Sequence, residues 1–156
     1  MIDKLTQGYR RFREDRWPSK RAEYEALAQK GQKPHTLIVA CSDSRADPAL
    51  IFDTAPGELF VVRNVANLVP PYEPDGKLHG VSAALEFGVN VLGVKQIVVM
   101  GHAGCGGVNA MLNGTPDNCR DFVEPWVEQA APYVRRFVAD YPAKEKECVA
   151  EEAGVR

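Results

Sequence analysis

Two short segments carry the residues best suited to chemistry. The first is Cys41-Ser42-Asp43-Ser44-Arg45, and the second is Gly101-His102-Ala103-Gly104-Cys105-Gly106-Gly107. Two thiolates and one imidazole make a sound ligand set for Zn2+, with a fourth position left for water or a carboxylate. Sulfur ligands argue against magnesium and calcium, which take oxygen. In the His-x-x-Cys spacing, His102 comes straight off a strand and Cys105 lies near the first turn of the next helix. Helix-terminal amides stabilise a thiolate there. Gly101, Gly104, Gly106 and Gly107 let the backbone turn tightly around an ion.

Asp43 and Arg45 alternate with Cys41, and in an extended segment alternate residues share a side. Asp43 has two possible uses. It can ligate zinc, or it can pair with Arg45 and accept a hydrogen bond from metal-bound water. The attraction of Arg45 would keep it ionised. The blander reading is a surface ion pair of little worth. Cys41 alone reads as a small buried hydrophobe, and His102 alone as a satisfied loop histidine. The glycine-rich segment lacks both the Gly-x-Gly-x-x-Gly order and a terminal Lys-Ser/Thr, so a dinucleotide or phosphate turn is a poor fit. The joint placement favours metal. Cys119 and Cys148 have no histidine nearby and read as structural or incidental.

The elements that must position these residues are legible. Leu37 to Cys41 is a continuously apolar, β-rich run of the kind buried in parallel sheets. Leu59 to Val62 is a second run and Gln96 to Met100 a third. Gly80 to Leu92 reads as a helix with Val81, Ala84, Leu85 and Val91 inward. Cys105 to Leu112 reads as a short helix. Asp121 to Tyr141 is a longer one, with Pro132 as a kink or break. Lys144 to Glu152 is a further helical candidate. Ahead of the first strand, Lys4 to Asp15 and Ser19 to Lys30 read as two helices. Pro18 opens the second, whose Tyr24 and Leu27 share a face, and Gly31 closes it. Alternating strands and helices predict an α/β fold with a mostly parallel sheet flanked by helices. Ligands in such sheets bind beyond the carboxyl ends of the strands, where both segments fall. The division is a helical arm over residues 1–35 and a zinc-binding α/β core over residues 36–156.

The 156 residues suit one compact domain. A net charge of −2, from 19 basic and 21 acidic residues, offers no broad cationic field for nucleic acid. The basic stretch Tyr9 to Arg21 also holds Glu14 and Asp15. It reads as a solvated helix face, with an anionic partner as the minor alternative. No run of eighteen apolar residues predicts a membrane span, and the first ten residues lack a signal core. A cytoplasmic setting with reduced thiols is the expectation.

The two segments at 41–45 and 101–107 resemble the signature segments of the beta-carbonic anhydrase family. So does the stretch Pro56 to Asn67 between them, and the helix around Ser82 to Phe87. The resemblance spans Gln32 to Leu112. It implies a beta-carbonic anhydrase-like fold and Zn2+ held by Cys41, His102 and Cys105. It implies reversible hydration of carbon dioxide to bicarbonate and a proton by zinc-bound hydroxide. Asp43 would fill the fourth site in a closed form and move to Arg45 in an open form. Higher pH would favour the open form, so activity would rise with pH.

A glutamine nine residues before the first cysteine, here Gln32, marks the plant-like subgroup, where it donates to a substrate oxygen. Phe60 and Phe87 fall at positions lining the carbon dioxide pocket, and Phe87 stands where tyrosine is common. Ile38 replaces the tryptophan of the bicarbonate-inhibited bacterial subgroup. The resemblance also implies a homodimer or a dimer-based higher oligomer, with the helical arm across a neighbouring subunit and Gln32 serving the partner's pocket. The family continues with further C-terminal strands, which this sequence is expected to lack. Two other readings stay open: zinc-dependent hydrolysis of carbon disulfide or carbonyl sulfide, and a noncatalytic zinc-stabilised module with Asp43 as permanent fourth ligand.

Overall fold

The computed structural model describes residues 2–140. The helical candidate at 144–152 and Cys148 lie outside the described residues. Helix α1 (Ile2–Arg11) runs through a π-helical segment, Phe12–Arg16, into α2 (Trp17–Lys30). The two helices expected from sequence are therefore one arm with a widened turn inside it. The amide of Trp17 bonds the carbonyl of Phe12, five residues back. Pro18 falls within the next turn, in the first two positions of α2, where its missing N–H costs little. Phe12, Trp17 and Tyr24 pack ring to ring around this joint, with centroids 5.4–6.2 Å apart. Gly31 closes α2 at φ 74°, a conformation that excludes most side chains.

Three parallel strands follow: β1 (Thr36–Cys41), β2 (Leu59–Asn64) and β3 (Gln96–Met100). Their order is β2-β1-β3, so β1 is central. The short helix α3 (Pro48–Ile51) lies between β1 and β2, and α4 (Gly80–Glu86) between β2 and β3. The chain leaves β1 toward β2, then passes back to pair β3 on the other side of β1. That reversal opens a crevice beyond the carboxyl ends of β1 and β3. Leu37, Ile38, Val39 and Ala40 are buried, as the apolar run required. β3 is less covered among the described residues, with Ile97 49% exposed.

α4 continues as a π-helical segment, Phe87–Leu92. The extra residue per turn shifts the helix face, and this overturns one expectation. Val91, expected inward, is 65% exposed, and Gly88 is the buried residue instead. Gly88 is where the helix meets the sheet, because a Cβ there would lie 2.4 Å from Leu37 Cδ1.

Beyond β3 come α5 (Gly106–Asn113), α6 (Val123–Glu128) and α7 (Ala131–Asp140). The long helix expected over 121–141 is broken just before Pro132, which sits in the first turn of α7. These helices build the second part of the core. Cys41, Ala46, Ala66, Cys105, Val108, Met111, Val127 and Ala131 form one buried cluster at the carboxyl end of the sheet.

Candidate metal centre

β1 and β3 are neighbours in parallel register, Ala40 opposite Met100. Cys41 ends β1, and His102 follows β3 by two residues. The chain turns at Gly104, φ 63°, and Cys105 then serves as the N-cap of α5. One sulfur, one imidazole nitrogen and a second sulfur arrive within 4.8 Å of one another. This convergence needs both strands side by side, and the sheet order provides it.

The donors fit Zn2+. Cys41 Sγ and Cys105 Sγ lie 3.8 Å apart as free cysteines, with no disulfide between them. Two zinc–sulfur bonds of about 2.3 Å at a tetrahedral angle place their sulfurs about 3.8 Å apart. His102 Nδ1 lies 3.1 Å from the carbonyl of Ala103. A carbonyl only accepts, so Nδ1 carries the proton and Nε2 keeps a free lone pair. Nε2 is buried and has no hydrogen-bond partner among the described residues. A buried acceptor without a donor is costly, and a cation between the two sulfurs removes that cost. Burial pushes the Cys105 thiol up, while the amides of Val108 and Gly107 act in the opposite sense. Two buried thiols beside an unpartnered imidazole therefore define a centre that a soft divalent metal completes.

Asp43 stands beside this cluster and is paired with Arg45. Arg45 Nε donates to Asp43 Oδ1 at 3.0 Å, and Nη2 donates to Oδ2 at 2.9 Å. The backbone amide of Arg45 also donates to Oδ1, at 2.9 Å. The side-chain bonds of Arg45, and then its amide, hold the Asp43 carboxyl well below the usual carboxylate range. The route to this pairing differs from the expected strand alternation. Asp43 caps a 3-10 turn, Ser44–Ala46, and the turn brings Arg45 back over the carboxylate. Arg45 Nη2 reaches Gly104 O at 3.3 Å, linking the two ligand-bearing loops.

The other expected site residues lie elsewhere. Gln32 precedes β1 and lines a 340 Å3 cavity with Lys33, His35 and Lys95. Phe60 is opposite Leu37 in the strand register, and its ring lies 5.9 Å from that of Phe87. All three sit toward the amino end of the sheet. β1 separates Gln32 from Cys41 by about 20 Å at ~3.3 Å per strand residue. Within one chain they do not gather around the cysteines.

Sequence reasoning missed Arg63, Asn64, Asp47 and Trp126. Asn64 brackets Leu68 with two bonds, Nδ2 to the carbonyl at 2.9 Å and Oδ1 from the amide at 2.8 Å. This braces the turn Val65–Asn67, in which Ala66 and Asn67 have positive φ. Trp126 Nε1 donates to Val65 O at 2.8 Å on the same turn. A charged residue within an apolar strand, as Arg63 is, was the available signal, because such a residue requires buried partners.

Fold and site together define an α/β metalloprotein with a thiolate–imidazole centre beyond its strand ends. The carbonic anhydrase family profile matches residues 36–156, and the chain belongs to that family. It is 37% identical over 142 residues to beta carbonic anhydrase 3 of Arabidopsis thaliana, covering 89% of this chain and 54% of that protein. It is 46% identical over 109 residues to a carbonic anhydrase of Pseudomonas aeruginosa, covering 70% of this chain and 48% of that one. The chain thus spans about half the length of these curated relatives. Among solved structures, the beta-carbonic anhydrase CcaA superposes with a TM-score of 0.83 at 33% identity, over 98% of this chain and 69% of that one. Coccomyxa beta-carbonic anhydrase in complex with acetazolamide gives 0.71 at 30% identity, over 98% and 64%.

Proposed function

We propose that this protein interconverts carbon dioxide and bicarbonate at a Zn2+ held by Cys41, His102 and Cys105. The observation that carries this reading is a three-donor cluster with an ionised carboxylate held beside it by Arg45. Three protein ligands leave a fourth position, the mark of a catalytic rather than a structural site. Bound there, zinc supplies Lewis-acid activation of water, giving a nucleophile near neutral pH.

The side chains of this chain do the rest. Asp43 would accept a hydrogen bond from a water at the fourth position and so orient that water toward the substrate. Arg45 keeps Asp43 ionised and oriented. In a closed form Asp43 would itself take the fourth position. Its two bonds to the Arg45 side chain argue against a permanent carboxylate ligand, and so against a purely structural metal site.

A plant-like pocket completes the site. Gln32 donates its amide to a substrate oxygen, while Phe60 and Phe87 form an apolar wall that suits carbon dioxide. These residues lie at the far end of the sheet, so they serve the centre of a second copy. The arm supports this pairing. Ile2, Leu5 and Tyr9 lie on one stripe of α1 and are 76%, 70% and 63% exposed, an apolar face that a neighbouring subunit would cover. A reducing compartment such as the cytoplasm suits the free thiols. No helix among the described residues is long and apolar enough to cross a membrane.

Two measurements test this reading. Product analysis with carbon dioxide, carbonyl sulfide and carbon disulfide should show turnover of carbon dioxide above the others. A preference for a sulfur substrate would overturn the assignment. Asp43→Ala should cost turnover about 100-fold while zinc stays bound. Complete loss of zinc from that variant would contradict the division of roles.

A further inference from the structure

Arg63 lies on β2 one residue before its end, opposite Ala40, with Asn64 opposite Cys41. Its side chain reaches past the carboxyl end of β1 and uses all three of its nitrogens. Nε donates to the carbonyl of Cys41 at 3.0 Å, and Nη2 to the carbonyl of Asp43 at 2.6 Å. Nη1 donates to Asp47 Oδ2 at 3.0 Å. Asp47 is itself fixed, because Oδ1 accepts from the amides of Ala49 at 3.0 Å and Leu50 at 3.4 Å and so caps α3. Only 28% of the Arg63 side chain is exposed. A guanidinium projects its donors in a rigid planar fork, so three acceptors around it are held in fixed relative positions.

Those acceptors matter because of what the chain carries between them. Cys41 supplies a metal ligand and Asp43 supplies the carboxylate beside the metal. Both carbonyls bind one guanidinium, and the amide of Ser42 bonds Asn64 O at 2.9 Å. Residues 41–43 are therefore an arch pinned from the β2 side. The two arginines divide the work, with Arg45 on the side chain of Asp43 and Arg63 on its backbone.

We propose that Arg63, anchored by Asp47, is a positioning residue that fixes the backbone of Asp43, so that its carboxylate stays on Arg45 and beside the metal rather than in the fourth coordination position. The consequence for turnover rests on the proposed function. The consequence for coordination rests on the metal centre alone. A shorter, single-headed cation cannot hold two carbonyls and a carboxylate together. Loosening the arch lets Asp43 leave Arg45 and compete for the metal.

The test uses full-length protein carrying Co2+ in place of zinc, titrated with azide and followed by visible absorption. In the native protein azide should enter the fourth position and shift the spectrum. In Arg63→Lys, Asp43 occupies that position more of the time, so azide should bind about tenfold more weakly. With zinc restored, kcat should fall about tenfold with KM little changed and zinc at one per chain. In the double variant Arg63→Lys/Asp43→Ala, azide should bind as in Asp43→Ala, because the competitor is gone.

Asp47→Asn keeps the cap acceptor and the side-chain shape, and so provides a second variant should Arg63→Lys fail to fold. It should weaken azide about threefold. Native azide affinity in every variant that folds would overturn the proposal. So would an Arg63→Lys loss that persists unchanged without Asp43. A native protein that binds zinc but does not hydrate carbon dioxide would remove the proposed function, while the azide titration would still decide the role of Arg63.

Discussion

A single methyl group added at Gly107 tests how closely the metal-bearing helix is seated. Gly107 is the second residue of α5, two residues after Cys105. A Cβ there would lie 2.6 Å from Ala66 Cβ, 3.0 Å from Val65 Cγ1 and 3.2 Å from the Ala66 amide nitrogen. Ala66 cannot rotate its methyl away, and its backbone is already at φ 63°. The helix must therefore move. Overpacking of this kind costs about 1–3 kcal/mol, and alanine returns about 0.5–1 kcal/mol over glycine in a helix. Gly107→Ala should lose on the order of 1 kcal/mol net, and at most about 2.5 kcal/mol. Its neighbour is the control, because a Cβ on Gly106 would meet nothing within 4 Å. Gly106→Ala should be neutral or up to ~0.5 kcal/mol more stable. Urea unfolding of the metal-free proteins reads the stability. Competition with a chromophoric chelator reads zinc affinity, which should fall about tenfold in Gly107→Ala alone as Cys105 is displaced. Equal urea midpoints for the two variants, or greater damage from Gly106→Ala, would refute the packing argument.

Three further outcomes follow from the same geometry. Trp126→Phe keeps a ring in place but removes the donor to Val65 O, and thermal unfolding should show a loss of about 1 kcal/mol; no change would mean the bond does not hold the turn. Asp75 accepts from the Lys77 amide, the Lys77 ammonium and His79, which together hold its carboxyl at about 2, below its ordinary 3.8. Its contribution to stability is thus present above about pH 4 and lost as pH falls through about 2. The stability gap between native protein and Asp75→Asn should close over that window, and a carboxyl titrating near pH 4 by NMR would contradict it. His102→Ala should abolish tight zinc binding, whereas Cys119→Ser should leave it unchanged by the same chelator competition.

The parts of this molecule that were legible in sequence share a physical cause. β1 reads as a buried strand because all its apolar residues face protein, and its pattern needs no knowledge of its neighbours. The ligand set reads from residue type, since few other roles place Cys41, His102 and Cys105 at the carboxyl ends of two strands. What escaped depended on three-dimensional partners. Val91 points outward because a π-helical segment shifts the helix face, and 3.6-residue periodicity cannot anticipate that. Arg63 lay just past the strand run read from sequence, and its role emerged only once Cys41 O, Asp43 O and Asp47 were placed around it. Gln32 was expected to serve a partner's pocket, but the separation of Phe60 and Phe87 from the cysteines of their own chain became visible only when β1 was seen to run its full length between them.

The central claim is that this centre uses zinc to hydrate carbon dioxide. Stopped-flow hydration kinetics on protein stripped of metal, then titrated with Zn2+, test it most directly. The account predicts negligible activity without metal, a linear rise to one equivalent per chain, and a plateau beyond. Hydration that is unaffected by stripping, or a protein that takes up one zinc per chain and still fails to accelerate hydration, would contradict it.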